Sequence, residues 1–510
     1  MNQQPSQPFS TSRIAASGSH RVSVGPPASL PVRSLTSSAA GDESPAARHL
    51  RAKDEAERRH GDRQSRPRPL TTRRLVKSTV TATLGLLVVA SDSPEAQELE
   101  LGPEVTASVN NDGGRLRVEP SAVIIGDTVV VAWNDSRAGR DFRVGTGVGI
   151  GWSRSADGGR SFEFGGYLPA VDMPGGPSGA DSWLGTTGGG DVLLQLLHWS
   201  TEEQEVQVYA LSQQGGAGWT VRGGFAGARI DKPAMATAGD DWVGVAYTAG
   251  TEIRFVRSTD AGATWAAPVT ISVTDSRTRT GAGIARCRDH VLVVWLEGAG
   301  IILDEVWSAW SDDGGRSFFE PTKVRDLEGA ASPPPGYALG VGPAADIANN
   351  AWVACSDGAP PLFHLTYTEG RVAGSVVLYQ QARSDADGLR WGQPDIVAGA
   401  DSVWTAFPSV SVLDEGIGIL YYDSRHSEAS RPRMDVYLSI GSGGRFEDHR
   451  LTTVSTSWLD VPGDREHAPV QRNFGDYITL AADGQRGLAA WTDGRTGVPR
   501  IMTRRFSLRP

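Results

Sequence analysis

The sequence has few of the features that mark several large classes of protein. Its two cysteines, Cys287 and Cys355, are too few for a disulfide-rich scaffold or a cysteine-rich zinc module. No stretch reaches about twenty consecutive apolar residues, which excludes a polytopic membrane protein. The 62 glycines follow no strict period of three, which excludes collagen. The two cysteines can form one disulfide or remain buried free thiols, and the sequence leaves both open.

The short motifs of several enzyme classes are also missing. There is no HExxH zinc helix, no phosphate-binding P-loop and no GxSxG nucleophile elbow with suitable partners. The nine histidines are scattered without the spacing of a metal cluster. We therefore expect neither a metal ion nor a cofactor.

Charge is distributed unevenly along the chain. Residues 1–97 carry 14 Lys and Arg against 8 Asp and Glu, whereas the remaining residues carry 35 against 51. An acidic body repels a phosphate backbone, so we expect no nucleic-acid partner.

The first 97 residues differ in composition from the rest. Residues 1–70 are rich in Ser, Pro and Arg without a sustained apolar period, which predicts disorder. In residues 71–97, Arg73, Arg74 and Lys77 precede a mildly apolar run from Thr79 to Ala90 and a small-residue exit. These are the parts of an export signal, so we expect a secreted or periplasmic monomer with no membrane span in the mature domain. The alternative is a basic tail followed by a short buried helix.

An eight-residue frame recurs through the body of the chain, with Ser first, Gly fifth and an aromatic residue eighth. The full-length copies also have Asp at the third position. In such a turn this Asp accepts backbone hydrogen bonds, Gly supplies a positive φ and the aromatic ring packs back between strands. Three copies are full-length and three are weaker, 46 to 73 residues apart. They begin at Ser155, Ser258 and Ser311, and at Ser212, Ser384 and Ser439.

Short β-rich runs ending in an aromatic residue accompany these frames. There are seven such runs, among them VVVAW before Asn134, VLVVW before Leu296 and GLAAW before Thr492. Their alternation and spacing predict an all-β propeller over residues 98–510, with about seven four-stranded blades and six as the alternative. The segment Glu98–Val109 has no frame of its own, so we expect it to supply the outer strand of the last blade and close the ring.

Polar residues gather where some of these runs end. Asp423 and Arg425, like Asp493 and Arg495, stand two apart after a buried strand. They form either local pairs that fix a turn or a set of guanidinium groups around a ligand. The segments Asn473–Tyr477 and Arg117–Pro120 each predict polar side chains beside the channel.

The recurring frame resembles the Asp box, or BNR repeat, of the sialidase-like β-propellers. The resemblance covers roughly residues 100–510 and implies an exo-acting glycoside hydrolase on terminal acidic sugars. It implies a carboxylate grip by three arginines, a tyrosine nucleophile and an aspartic acid/base. The corresponding candidates are Arg117, Arg425 and Arg472 for the grip, Tyr477 for the nucleophile, and Asp135 or Asp141 for the acid/base.

A second function stays open at this point. A propeller can bind a glycan or a protein at its channel mouth without catalysis, and fold alone does not separate the two. Trp183, Trp404 and Trp458 fall in loop-like stretches that suit such a binding surface, or pack as ordinary loop residues. The ligand in either case is a glycan or another polar molecule.

Overall fold

The structure is a computed structural model that describes residues 98–109, 114–137, 148–168, 179–199, 204–212, 218–300, 302–329, 350–385, 388–428, 433–442, 444–456 and 475–509. Every regular element in these ranges is a β-strand. The expectations for residues 1–70 and 71–97 lie outside the described residues.

The strands form seven antiparallel sheets, each of them one blade of a β-propeller. The first strand, β1 (Glu98–Thr106), belongs to the last blade. Blade 1 contains β2 (Gly114–Ile125), β3 (Thr128–Arg137), β4 (Val148–Ser155) and β5 (Glu163–Tyr167). Blade 2 contains β6 (Gly179–Thr186), β7 (Val192–Trp199), β8 (Gln204–Leu211) and β9 (Trp219–Gly227). Blade 3 contains β10 (Ile230–Thr237), β11 (Val243–Ala249), β12 (Glu252–Ser258) and β13 (Val269–Thr270).

The remaining blades repeat this order. Blade 4 contains β14 (Thr278–Cys287), β15 (His290–Ala299), β16 (Ile302–Ser311) and β17 (Thr322–Asp326). Blade 5 contains β18 (Trp352–Ser356), β19 (Leu362–Gly370), β20 (Ser375–Asp385), β21 (Gly388–Trp391) and β22 (Asp395–Ala400), the last two both pairing with β20. Blade 6 contains β23 (Thr405–Leu413), β24 (Gly416–Asp423), β25 (Asp435–Ser442) and β26 (Arg445–Arg450). Blade 7 contains β27 (Thr479–Asp483), β28 (Arg486–Asp493) and β29 (Arg500–Arg509), with β1 outside them.

The prediction of seven blades is confirmed, and the alternative of six is wrong. The inner strands β2, β6, β10, β14, β18, β23 and β27 follow one another around a ring, and β27 lies beside β2. Strand β1 pairs antiparallel with β29, from Glu98 opposite Arg509 to Thr106 opposite Met502. Blade 7 therefore combines the last three strands of the chain with its first described strand.

The hydrophobic core lies between neighbouring blades. The second strand of each blade supplies the predicted apolar run, and both of its faces are covered. In β15, for example, every side chain from Val291 to Leu296 is fully buried. A continuous apolar run, rather than strict alternation, is what a strand needs when sheets pack on both of its faces.

The three full-length frames form one kind of turn between the third and fourth strands of blades 1, 3 and 4. In the first, the Ser155 hydroxyl donates to Asp157 Oδ1 at 2.7 Å and accepts from the Gly159 amide at 2.8 Å. Asp157 also accepts from the Ser161 amide and hydroxyl at 2.9 and 2.6 Å. The turns at Asp260 and Asp313 repeat these bonds.

The two cysteines form a disulfide. Cys287 at the end of β14 and Cys355 in β18 have Cα atoms 6.0 Å apart and lie 68 residues apart in sequence. The bond joins the inner strands of blades 4 and 5, which settles the question that the sequence left open.

Candidate functional site

Three charged residues occupy the same kind of bulge on three neighbouring inner strands. Strand pairing shifts register at Glu119 in β2, at Asp181 in β6 and at Lys232 in β10. Each residue has a left-handed backbone, with φ of 58°, 55° and 46° respectively. This conformation costs a residue with a Cβ about 1–2 kcal/mol, and bulges of this kind re-aim side chains beside active sites.

Hydrogen bonds gather these side chains at the channel. The Lys232 ammonium donates to Asp476 Oδ2, from the segment that precedes β27. The Asp476 amide donates to Glu119 Oε1 at 3.0 Å, and Asn134 Nδ2 donates to Glu119 Oε2 at 2.6 Å. Asn350, ahead of β18, donates to the Asp476 carbonyl at 2.6 Å. The Asp181 side chain is hydrogen-bonded to that of Glu119. We call Glu119, Asp181, Lys232 and Asp476 the channel cluster.

Burial and mutual repulsion raise the pKa values of two carboxyls of the channel cluster. Burial raises the pKa of Glu119 well above its usual range, and the charges of Asp476 and Asp181 raise it further. Burial, followed by the charge of Asp231, raises the pKa of Asp181 to about 7. The site therefore holds at least one carboxyl that is a proton donor at neutral pH.

The lysine of the cluster stays charged. Burial works to lower the pKa of Lys232, but the surrounding carboxylates, Asp476 foremost, raise it above its usual range. Its side chain is 20% exposed and that of Asp476 is 21% exposed, so both ions reach solvent at the channel.

Three aromatic rings lie beside the channel cluster. The ring centroids of Trp183 and Trp352 are 4.8 Å apart, and Tyr477 lies 5.7 Å from the first and 6.4 Å from the second. The two tryptophans are partly exposed, whereas Tyr477 is buried. The Tyr477 hydroxyl donates to the Ser182 carbonyl at 3.3 Å. Burial, and then the charge of Glu119, raise the pKa of this phenol well above its usual range.

Of the predicted catalytic residues, Tyr477 lies against the channel cluster. Asp135 lies in β3, which pairs with the strand β2 that carries Glu119. Asp135 is fully buried, accepts from Trp133 Nε1 at 2.9 Å and is 3.7 Å from Arg117 Nε. The predicted acid/base and the first predicted gripping arginine thus form a buried pair within blade 1. The other acid/base candidate, Asp141, lies outside the described residues.

The second gripping candidate, Arg425, also contacts carboxylates of its own blade. Its guanidinium group is 2.7 Å from Asp423 and 2.8 Å from Asp448. Its Cζ atom lies 4.1 Å from the centre of the Tyr437 ring. The third candidate, Arg472, lies outside the described residues.

Arginine–carboxylate pairs recur where second strands end. Arg495 lies 2.7 Å from both Asp493 and Glu104, which continues the local pairing seen at Arg425. Blades 4 and 5 carry the same arrangement through other residues. Glu297 pairs with Arg277 and Arg279, and Glu369 pairs with Arg325 and Arg371. The local-pair interpretation thus describes Arg425 and Arg495, whose guanidinium groups contact acidic side chains.

The tryptophans predicted to form a binding surface have different positions. Trp183 lies beside the channel cluster. Trp404, ahead of β23, is partly buried and its amide donates to Ser424 Oγ at 2.7 Å. Trp458 lies outside the described residues.

Sequence reasoning missed Asp181, Lys232, Asn350 and Trp352. One signal in the sequence points to Lys232. The chain has 49 Lys and Arg, and only four of these are lysines, at positions 53, 77, 232 and 323. A chain that uses arginine for nearly every cation keeps a lysine at its channel.

Within the described ranges, no group of three or more His, Cys, Asp and Glu side chains is arranged to hold a metal ion. In the same ranges, no helix is long and apolar enough to span a bilayer.

Comparison with known proteins shows similarity of fold at low identity. No protein-family model and no curated protein sequence matches the chain. An α-L-arabinofuranosidase from Fusarium graminearum shares 10% identity at a TM-score of 0.43, over 79% of this chain and 96% of that one. An α-L-arabinanase from Penicillium chrysogenum shares 13% identity at 0.41, over 64% and 94%. The NanB sialidase from Streptococcus pneumoniae shares 10% identity at 0.43, over 62% and 66%. None of these similarities establishes an activity for this chain.

Proposed function

We propose that the chain is a carbohydrate-active propeller, a glycoside hydrolase of the sialidase-like Asp-box type, with the channel cluster as its reaction centre. The observation that carries the proposal is the contrast between its carboxyls. Asp181 and Glu119 have raised pKa values, whereas Asp476 contacts the ammonium of Lys232. Glycosidases need one carboxyl that gives up a proton and one that acts as a carboxylate.

Asp181 is the general acid in this proposal. Its proton passes to the glycosidic oxygen as the bond from that oxygen to the anomeric carbon breaks. Asp476 faces the positive charge that develops on the sugar. Water then adds to the anomeric carbon and gives its proton to the Asp181 carboxylate, which restores the acid. The partly exposed rings of Trp183 and Trp352 offer apolar faces on which a sugar ring can stack.

This assignment replaces Asp135 as the acid, because Asp135 is fully buried between Arg117 and Trp133. The predicted nucleophile, Tyr477, remains in the site. Its raised pKa favours the neutral phenol, so we assign it to shaping the aromatic wall.

The pairing of the described cations favours a neutral sugar over an acidic one. Arg117 and Arg425 are already paired with carboxylates, and the ammonium of Lys232 contacts Asp476. An acidic sugar would have to compete with these acidic side chains for each of the three cations.

We also propose that the protein works outside the cytoplasm, as a secreted or periplasmic protein. The disulfide between Cys287 and Cys355 supports this proposal, because such bonds persist in oxidising compartments.

Turnover of a panel of fluorogenic methylumbelliferyl glycosides by the full chain tests the proposed function. We expect hydrolysis of a neutral glycoside and a loss of about 100-fold or more in Asp181→Asn, the usual size of a general-acid contribution. Asp241→Asn is the matched control, because Asp241 has φ of 61° but is exposed. Tyr477→Phe should retain turnover. A loss of turnover in this variant would instead support Tyr477 as the nucleophile.

Binding without catalysis is the second candidate, favoured by the partly exposed rings of Trp183 and Trp352. A folded protein that binds oligosaccharides but hydrolyses no glycoside of the panel would establish it in place of the hydrolase. Turnover of a sialoside alone would contradict the assignment to neutral sugars.

A further inference from the structure

Lys232 differs in kind from the other cations of the propeller. Residues 98–510 contain only two lysines, Lys232 and Lys323. Lys323 is 37% exposed in blade 4 and pairs with Glu305 and Asp326. A lysine ammonium is a compact charge on a flexible stem, whereas a guanidinium group is a broad planar fork.

The backbone fixes Lys232 at the channel. Its left-handed conformation in the β10 bulge, with φ of 46°, turns the residue out of the regular strand pattern. The Lys232 amide donates to Asp231 Oδ1 at 3.0 Å. Its ammonium contacts Asp476, which lies 244 residues further along the chain. One side chain thus links blade 3 to blade 7.

Acidic groups face this ammonium from each element around it. Asp231 lies on its own strand, Asp181 on β6, Glu119 on β2 and Asp476 ahead of β27. The Tyr477 phenol interacts with the last three of these groups. Closely placed carboxyls compete to hold protons, and a fixed cation beside one of them decides which is ionised. The ammonium makes its ion pair with Asp476.

We propose that Lys232 is a positioning residue that pairs with Asp476 and, through its charge, eases the ionisation of the neighbouring Asp181. The proposal rests on the proposed function, because sugar hydrolysis needs one carboxylate and one carboxyl that can give up its proton. The test of this role measures protonation rather than turnover. The role of Lys232 and the proposed function can therefore fail separately.

The experiment compares thermal unfolding of the full chain with and without Asp181→Asn, from about pH 4 to about pH 9.5. The stability gained through Asp181→Asn should rise with pH as the wild-type carboxyl ionises, with its upper end near pH 7. The comparison is repeated in the backgrounds Lys232→Met, Lys232→Arg and Lys323→Met.

Removing the charge at position 232 should shift the pH range in which this stability gain rises to higher pH, by about one to two units. This is the effect expected of a cation a few ångströms away. Lys232→Arg, which keeps the charge, and Lys323→Met, which removes the distant lysine, should leave this range in place. If the stability gain rises over the same pH range in Lys232→Met, Lys232 links the two blades without affecting the ionisation of Asp181. If that variant does not fold, a displaced rise in Lys232→Arg would overturn the proposal, and an unchanged one would support it.

Discussion

Replacement of Asp181 by asparagine should stabilise the protein by an amount that grows with pH above about 4 and is complete above about 7. The pKa of this carboxyl is raised from 3.8 to about 7 in the folded state, so ionisation opposes folding. A carboxyl with a raised pKa carries no penalty below its unfolded value. The penalty grows as the pH rises from about 4 and is complete above about 7. Asparagine cannot ionise and tolerates the left-handed backbone of this position.

The magnitude follows from the size of the shift. About three pKa units at about 1.36 kcal/mol each give an upper limit of about 4 kcal/mol in the free energy of unfolding. For a domain of about 400 residues, with an unfolding entropy of about 2.1 cal/mol/K per residue, this corresponds to about 5 °C in melting temperature. At pH 4 we expect a difference of less than about 1 °C.

The assay measures the thermal unfolding of wild type and of Asp181→Asn by calorimetry between about pH 4 and about pH 8. Asp241→Asn serves as the control and should show no such trend. A melting difference that is the same at pH 4 and pH 8, or that is largest in acid, would show that ionisation of Asp181 does not oppose folding.

Three further predictions concern groups around the site and in the scaffold. Gly475→Ala should cost about 2 kcal/mol or more and abolish sugar turnover, because its φ is +80° and a Cβ would lie 2.5 Å from the site glutamate. Calorimetry and the glycoside assay measure the two effects. Replacing both Cys287 and Cys355 by serine should cost up to about 4 kcal/mol, since the bond closes a span of 68 residues. The melting temperature of the double variant measures this loss. Burial works to raise the pKa of Asp313, but hydrogen bonds from Ser317 and its neighbours together lower it to about 2. Asp313→Asn should therefore destabilise above about pH 4, with a loss that fades as the pH falls toward 2 in unfolding measurements.

Each of these predictions has a matched control. Gly126→Ala shares a positive φ of 58° but has no atom within 4 Å of the new Cβ, so it should cost only the backbone strain and keep turnover. Equal effects at the two glycines would exclude contact with the glutamate as the cause. Reductant should lower the melting temperature of wild type but not of the serine variant. Asp312→Asn, at an exposed position beside Asp313, should be neutral, and a loss there would contradict the account of the turn.

The scaffold was predictable because the same sequence pattern recurs in each blade and packs in the same way. A second strand covered on both faces needs a continuous apolar run, and this run occurs once in each blade, as in Val291–Trp295. The number of blades can therefore be counted along the sequence. The final sheet needed a long-range argument, because β1 and β29 pair across almost the whole described chain.

The site was predictable only in part. The segment Gly475–Tyr477 and the neighbourhood of Glu119 were expected beside the channel, and the Asp476 amide does bond Glu119. Asp181 and Lys232 were missed because they stand in bulges of the inner strands, away from the apolar runs from which the blades were counted. Their chemistry arises from contacts between residues far apart in sequence, and spacing along the chain does not reveal such contacts.

The most direct test of the central claim is to vary the leaving group while the acid is removed. Wild type and Asp181→Asn are compared on neutral methylumbelliferyl and dinitrophenyl glycosides of the same sugar. A dinitrophenolate leaves without a proton, so Asp181→Asn should lose about 100-fold or more in turnover of the methylumbelliferyl glycoside and little in turnover of the dinitrophenyl glycoside. Equal losses on both substrates would show that Asp181 does not act as the general acid.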